Sequence, residues 1–257
     1  MHLWSLALLL KTAAAGLASE LWRENSATAQ QSLWDPFVLG LGAGTLKRET
    51  FATYVAQDAA FLKSFADAYK RAERKCGDEE APPLQARCRG DLKELRAAVE
   101  DELKLHSGYA EKWGADLGRD FKPLKATIDY TSFLEKVSRD PTASAAEVVA
   151  AMVPCMTLYA VLGKRLAQAG IEADNPYKEW VETYASEDFW EANAQAEEEA
   201  RLLMEEEEKK REMAANQALF KKLFLENVQQ GMASNEAAAK ALQALAAGDP
   251  VVAKKEV

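Results

Sequence analysis

Ala145-Ala146-Glu147-Val148-Val149-Ala150-Ala151-Met152-Val153-Pro154-Cys155-Met156-Thr157-Leu158-Tyr159-Ala160-Val161-Leu162-Gly163-Lys164-Arg165-Leu166 is apolar on nearly every face. A helix that is hydrophobic all round belongs inside a structure, so this run reads as a central, buried helix. Ser144 with Glu147 three positions on makes a capping box at its start, and Gly170 supplies its stop. Pro154 removes a backbone donor and crowds the preceding turn. That predicts a kink just before Cys155 and a carbonyl left free beside the thiol. A free cysteine in such a run is either one more small buried hydrophobe or a residue facing a pocket, and spacing alone leaves both open.

The rest of the chain reads the same way. Of 257 residues, 48% are hydrophobic, with only 13 Gly and 8 Pro and no long alternation of apolar and polar residues. The pattern predicts an all-α, single-domain helical bundle. Helices are expected near residues 4–31, 47–74, 84–114, 121–138, 144–168, 175–184, 187–212 and 214–246. Pro36 and Gly40, Gly42 and Gly44 break the first from the second, and Thr45 is a candidate N-cap for the second. Asp140-Pro141-Thr142 ends the helix before the central one. The charge run from Glu197 to Arg211 reads as a solvated helical face, with Glu preceding Lys or Arg at helical spacing. Residues 1–17 form an N-terminal segment, 18–247 the helical domain and 248–257 a frayed tail.

The net charge of −9 argues against a nucleic-acid partner, because no surface would neutralise phosphates along a groove. Three cysteines and two histidines make no zinc set, so neither metal nor cofactor is expected. Cys76 and Cys88 flank an acidic loop, Gly77 to Pro83, and could pair if oxidised; a reduced, cytoplasmic setting fits the odd count best. Leu3 to Leu10 looks like the core of a signal peptide, yet it is short and no basic residue precedes it. It reads as the start of the first helix, and too few apolar residues stand there in a row for a membrane span. No membrane partner is expected, although targeting by residues 1–15 stays open.

Several polar residues stand where apolar ones would serve packing better. Asp58 follows Tyr54 by one helical turn, and Phe61 and Leu62 continue its face. A carboxylate inside an apolar stripe is costly unless it meets a donor, which is either a buried hydroxyl or a ligand amino group. Tyr130, Tyr159 and Tyr184 lie on three different helices among apolar neighbours; each is explained singly by ring packing and one hydroxyl partner. Tyr159 lies one turn after Cys155 and shares its face. His106, in Glu102-Leu103-Lys104-Leu105-His106, reads as a satisfied partner near a pocket rather than as a base.

These residues carry a resemblance. Val153-Pro154-Cys155-Met156-Thr157-Leu158-Tyr159 followed by Gly163 is similar to the nucleophile helix of the TenA/THI-4 family, the thiaminase II proteins. Asp35-Pro36-Phe37-Val38, Gly44-Thr45-Leu46 and Tyr54-Val55-Ala56-Gln57-Asp58 resemble the family's opening segment. Ile128-Asp129-Tyr130-Thr131-Ser132-Phe133 resembles its middle helix, and Asn175-Pro176-Tyr177-Lys178-Glu179-Trp180-Val181-Glu182-Thr183-Tyr184 its HPYxxWIxxY segment. The motifs cover roughly residues 18 to 232, and their wording is nearest the plant and algal branch.

The resemblance implies a haem-oxygenase-like bundle without haem, assembled as a homotetramer. It implies a hydrolase that releases hydroxymethylpyrimidine from aminopyrimidine breakdown products of thiamin, and from thiamin itself, in thiamin salvage. Cys155 would be the nucleophile and Glu226 the acid. Asp58 would hold the pyrimidine's amino group and ring nitrogen, and Phe61, Tyr130, Tyr159 and Tyr184 would line the pocket. The sequence departs from the family pattern in places. Phe61 stands for a tyrosine, Gln229 and Gln230 for aromatics after Glu226, and Asn175 and Asp35 for histidines. The lost aromatics keep a second expectation alive, a non-catalytic binder of thiamin-related pyrimidines or a degenerate helical scaffold.

Overall fold

The computed structural model describes residues 22–76, 83–118 and 121–229, with positions 240 and 243. The expected N-terminal segment 1–17 and the tail 248–257 lie outside the described residues. The elements are α1 (Ser26–Leu33), α2 (Pro36–Gly42), α3 (Arg48–Lys75), α4 (Pro83–Trp113), α5 (Lys125–Arg139), α6 (Ala145–Ala169), α7 (Lys178–Ala185) and α8 (Glu187–Gln229). Among the described residues every regular element is a helix, as the composition requires. The chain divides into two compact units, Met1–Leu203 and Met204–Val257, and the expected domain over 18–247 takes in parts of both. In the first unit α3 packs against α4, α5 and α6, while α6 also lies against α5 and α7.

α6 begins as its sequence demands. The Ser144 hydroxyl accepts from the Glu147 amide at 3.1 Å, and the Glu147 carboxylate accepts from the Ser144 amide at 2.8 Å. It ends at Gly170, whose φ of 88° is open to glycine and costly for other residues. Burial departs from expectation. Ala145, Ala146, Val148, Val149 and Met152 are buried, but Pro154 is exposed and residues 155–159 are only partly covered. The helix is long and apolar enough to cross a membrane by length and composition; here its first half and its Ala160–Gly163 stretch are core. Gly163 is required by the crossing with α7: a Cβ there would stand 2.5 Å from the Tyr184 carbonyl carbon.

Three boundaries differ from the sequence reading, each for a local reason. Pro36 does not simply break the chain. It occupies the first turn of α2, where its missing N–H is no loss, and Asp35 caps that turn by accepting from the Phe37 amide at 2.8 Å. Thr45 is not the cap of α3, which starts at Arg48 after Lys47 with no side-chain cap. α8 runs unbroken through Met213, where two helices were expected. Nor is the charge run solvated throughout. Ala196, Glu199, Ala200 and Leu203 form a buried stripe, and Glu199 meets Arg87 at 3.3 Å. Burial, with Asp91 beside it, lifts the Glu199 carboxyl to about 7.

The end of α3 and the start of α4 bring Cys76 and Cys88 together as a disulfide with a Cα–Cα distance of 5.9 Å. The pairing that the sequence left open for an oxidised chain is therefore the one present, although a reduced setting had fitted the odd count best, and Cys155 is the free cysteine. The two cysteines are twelve positions apart, and the packing of α4 against α3 places them side by side.

Candidate functional site

The site is built on five helices of the first unit, α3 to α7, around the carboxylate of Asp58. α3 is amphipathic, and its buried face runs through Val55, Asp58, Leu62, Phe65 and Tyr69. Asp58 sits on that face and is 8% exposed. Its charge is met from three directions. His106 of α4 brings Nε2 to 2.6 Å from Oδ2. Tyr54 donates to Oδ2 at 3.3 Å, and Tyr159 of α6 donates to Oδ1 at 3.3 Å. Tyr54 in turn accepts from the Trp180 indole at 3.0 Å. A buried carboxylate stays in place only with such partners.

A second carboxylate lies beside the first. Glu102, one turn before His106, accepts from the Tyr184 hydroxyl at 2.7 Å. Burial raises its pKa, the Asp58 charge adds to the rise, and the Tyr184 hydrogen bond and His106 oppose it. Asp58, Glu102 and His106 each bring one metal-ligand type of atom within 4.8 Å of the others. Those atoms are already committed to each other and to tyrosine hydroxyls, so the trio fits a hydrogen-bonded proton network better than a cation site.

Cys155 completes the cluster from α6. It is partly covered, and burial pushes its thiol well above the ordinary range, with the charges of Asp58 and Glu102 adding to the rise. The resting group is therefore a thiol. Tyr130 of α5 donates to the Ala151 carbonyl at 3.4 Å, one turn before Cys155. That carbonyl belongs to the turn in which Pro154 stands. Tyr69 donates to the Met156 sulfur at 3.6 Å. Burial and then the nearby Cys155 raise the hydroxyl pKa of both Tyr69 and Tyr130.

The rings form the wall: Phe61 and Tyr130 have centroids 5.1 Å apart, and Tyr159 and Tyr184 4.9 Å apart. The beginning of α8 is tied to the same stretch of α6, since the Thr157 hydroxyl lies 3.0 Å from the Asn193 side-chain oxygen and 2.9 Å from Glu197.

The structure thus brings together Asp58, Phe61, Tyr130, Cys155, Tyr159 and Tyr184. Glu226 lies on the part of α8 in the second unit, where it and Gln229 are exposed; Gln230 lies outside the described residues. Sequence reasoning missed Glu102, Tyr69 and the direct grip of His106 on Asp58. Glu102 and His106 share a face by their spacing of four, a signal that was present but is common on solvated helices. A separate cleft of about 490 Å³ lies among Arg48, Ala52, Gln57, Trp113 and Lys122, and none of the candidate residues line it.

With this geometry in place, likeness to known proteins has a physical referent. The TENA/THI-4/PQQC family matches residues 27–231, and the chain belongs to that family. It is 33% identical over 205 residues to the bifunctional TH2 protein, mitochondrial, of Arabidopsis thaliana; the match takes in 73% of this chain but only 32% of that protein. It is 29% identical over 169 residues to the aminopyrimidine aminohydrolase of Halalkalibacterium halodurans, covering 63% of this chain and 72% of that one. In structure it resembles a TenA homologue from Pyrococcus furiosus, with a TM-score of 0.63 at 21% identity over 73% of this chain and 85% of that one. The fold is all-α, as the sequence pattern predicted, and of the helical, haem-oxygenase-like kind that the resemblance implied.

Proposed function

We propose that this protein hydrolyses aminopyrimidine breakdown products of thiamin, releasing hydroxymethylpyrimidine for thiamin salvage. The observation that carries the reading is the buried Asp58 carboxylate, gathered with Cys155 inside one wall of tyrosines. A relative named aminopyrimidine aminohydrolase supports the substrate class. In this reading Asp58 accepts from the amino edge of the ring, and the aromatic rings of Phe61, Tyr130, Tyr159 and Tyr184 hold its faces.

Cys155 adds through sulfur to the ring, moving an electron pair toward a ring nitrogen. The amine on the methylene carbon leaves as ammonia, taking up the proton that the Cys155 thiol releases. Water then bonds to the methylene carbon, and the sulfur departs with restoration of the ring. Water has replaced ammonia, and the thiol is regenerated. Because the resting thiol is held protonated, its proton must leave as the sulfur attacks.

A homotetramer is part of the proposal. Leu124, at the N-cap of α5, and Ile128, one turn on, are each about half exposed and give a second copy an apolar patch. A tetramer mass by light scattering at micromolar protein is expected, and a monomer refutes it. A non-catalytic binder is the second reading, favoured by Gln229 in place of an aromatic. Purified protein incubated with the aminomethyl aminopyrimidine and with thiamin, side by side, separates the two. Hydroxymethylpyrimidine must form from the first at least; binding without product means a binder.

A further inference from the structure

The hydrogen bonds of His106 fix where its protons are. Nδ1 stands 3.0 Å from the Glu102 backbone oxygen, and a carbonyl oxygen can only accept. Nδ1 therefore carries a hydrogen. Nε2 stands 2.6 Å from Asp58 Oδ2, and a carboxylate oxygen at that distance from a ring nitrogen requires a proton between them. With Asp58 ionised, both ring nitrogens are protonated and the imidazole carries a positive charge. The two residues are buried to 3% and 8% exposure, so this charge has no solvent to share.

The acceptor sites of Asp58 can then be counted. Oδ2 is occupied by His106 and Tyr54; among the described residues Oδ1 accepts from Tyr159 and keeps a lone pair to offer.

We propose that His106 is a positioning residue for Asp58: as an imidazolium it holds Oδ2 through a charge-assisted hydrogen bond and leaves Oδ1 free to accept from a ligand amino group. The inference deepens the proposed function and rests on it for the identity of that ligand. The groups around the pair agree with this assignment. Asp58 and Tyr54 face it from α3, Glu102 and the Tyr109 ring from its own helix, Tyr184 from α7, and Tyr159 with Cys155 from α6. Burial works against the charged imidazole, but the hydrogen bond and charge of Asp58, with Glu102 behind them, outweigh it and hold the pKa above the ordinary histidine value. A raised histidine pKa means that protonation and its benefit persist above the pH at which a free imidazole loses its charge.

A merely structural histidine and a charge-holding one differ in two measurements. The first needs no substrate. In the full-length His2→Asn protein, His106 is the sole imidazole, and its ring nitrogens can be followed by nitrogen-15 NMR. Both are expected to remain protonated at pH 7.5. A neutral ring at that pH overturns the proposal whatever the protein hydrolyses.

The second uses His106→Gln, which keeps a donor of similar reach to Oδ2 but no charge. Wild type loses this charge as pH rises through the raised histidine pKa, whereas the glutamine never carries it, so the two binding profiles differ most at low pH and converge at high pH. For the aminomethyl aminopyrimidine, the dissociation constant at pH 6.5 is expected to rise about tenfold and to recover toward wild type as pH increases. A pH-independent loss of affinity, or an unchanged profile in a folded variant, overturns it. If wild type fails to bind this aminopyrimidine at all, the proposed function falls, while the NMR titration still decides whether His106 charges Asp58.

Discussion

Two stretches of α3 are packed by similar residues toward opposite ends. Around Phe51, the helix meets Trp113 at a centroid distance of 4.7 Å and Tyr177 at 4.8 Å, in the apolar cluster with Val38, Leu41 and Val181. Two turns on, around Asp58, it meets Tyr54, Tyr159 and His106 through oxygen and nitrogen. The first region gains from area removed from water and tolerates no cavity. The second spends that gain on a buried charge and three donors, which stabilise a fold poorly but recognise a polar ligand well. Stability should reside in one region and specificity in the other.

The sharpest break of that contrast is Phe51→Ala. It removes a ring that is 1% exposed and should cost about 3–5 kcal/mol of unfolding free energy by chemical denaturation. Turnover per folded molecule should stay within about threefold, since Phe51 makes no hydrogen bond to the Asp58 network and touches it only by packing its ring on Tyr54. A selective loss of turnover in a stable variant would merge the two regions into one.

Asp58→Asn is the converse. The amide cannot satisfy His106 and a ligand amino group as the carboxylate does. Affinity for the aminopyrimidine should fall by about 1.5–3 kcal/mol in a calorimetric titration, with a smaller change in stability than Phe51→Ala produces. If melting collapses while affinity in the folded fraction is unchanged, Asp58 serves structure alone.

The same contrast explains what the sequence could reveal. Phe51, Val55, Leu62, Phe65 and Tyr69 recur at helical spacing, so the core face of α3 was legible from pattern. The Ser144–Glu147 box and Gly170 were legible because caps depend on neighbours in sequence. Asp58 stood out as a carboxylate in an apolar stripe. Its partners did not, because His106 reaches it only when α4 folds back along α3, and Glu102 finds Tyr184 only across α4 and α7. The disulfide depends on that same folding back of α4 along α3, and buried Glu199 of the Glu-rich run is met by Arg87 of α4. Short α2 was hidden because Pro36 and its glycines read as breakers, although a proline in the first turn starts a helix.

A gentler probe is the reactivity of Cys155. Its thiol is held above the ordinary range by burial and by two carboxylates, so its thiolate fraction at pH 8 should be below that of a free cysteine. Alkylation by iodoacetamide, followed by intact mass, should be slower than for a model thiol by roughly tenfold or more and should still be rising at pH 9. Rapid labelling that levels off below pH 8 would show a stabilised thiolate and a different electrostatic site.

The central claim, that the tyrosine-walled cluster performs covalent chemistry through Cys155, is tested most directly by Cys155→Ser. Product formation from the aminomethyl aminopyrimidine and the dissociation constant of the same compound should be measured on one preparation. Serine is close in size but a far weaker nucleophile without an adjacent base. Hydroxymethylpyrimidine formation should therefore fall by about a hundredfold or more, while the dissociation constant stays within about threefold of wild type. A folded serine variant that keeps more than about a tenth of the wild-type rate would contradict the account.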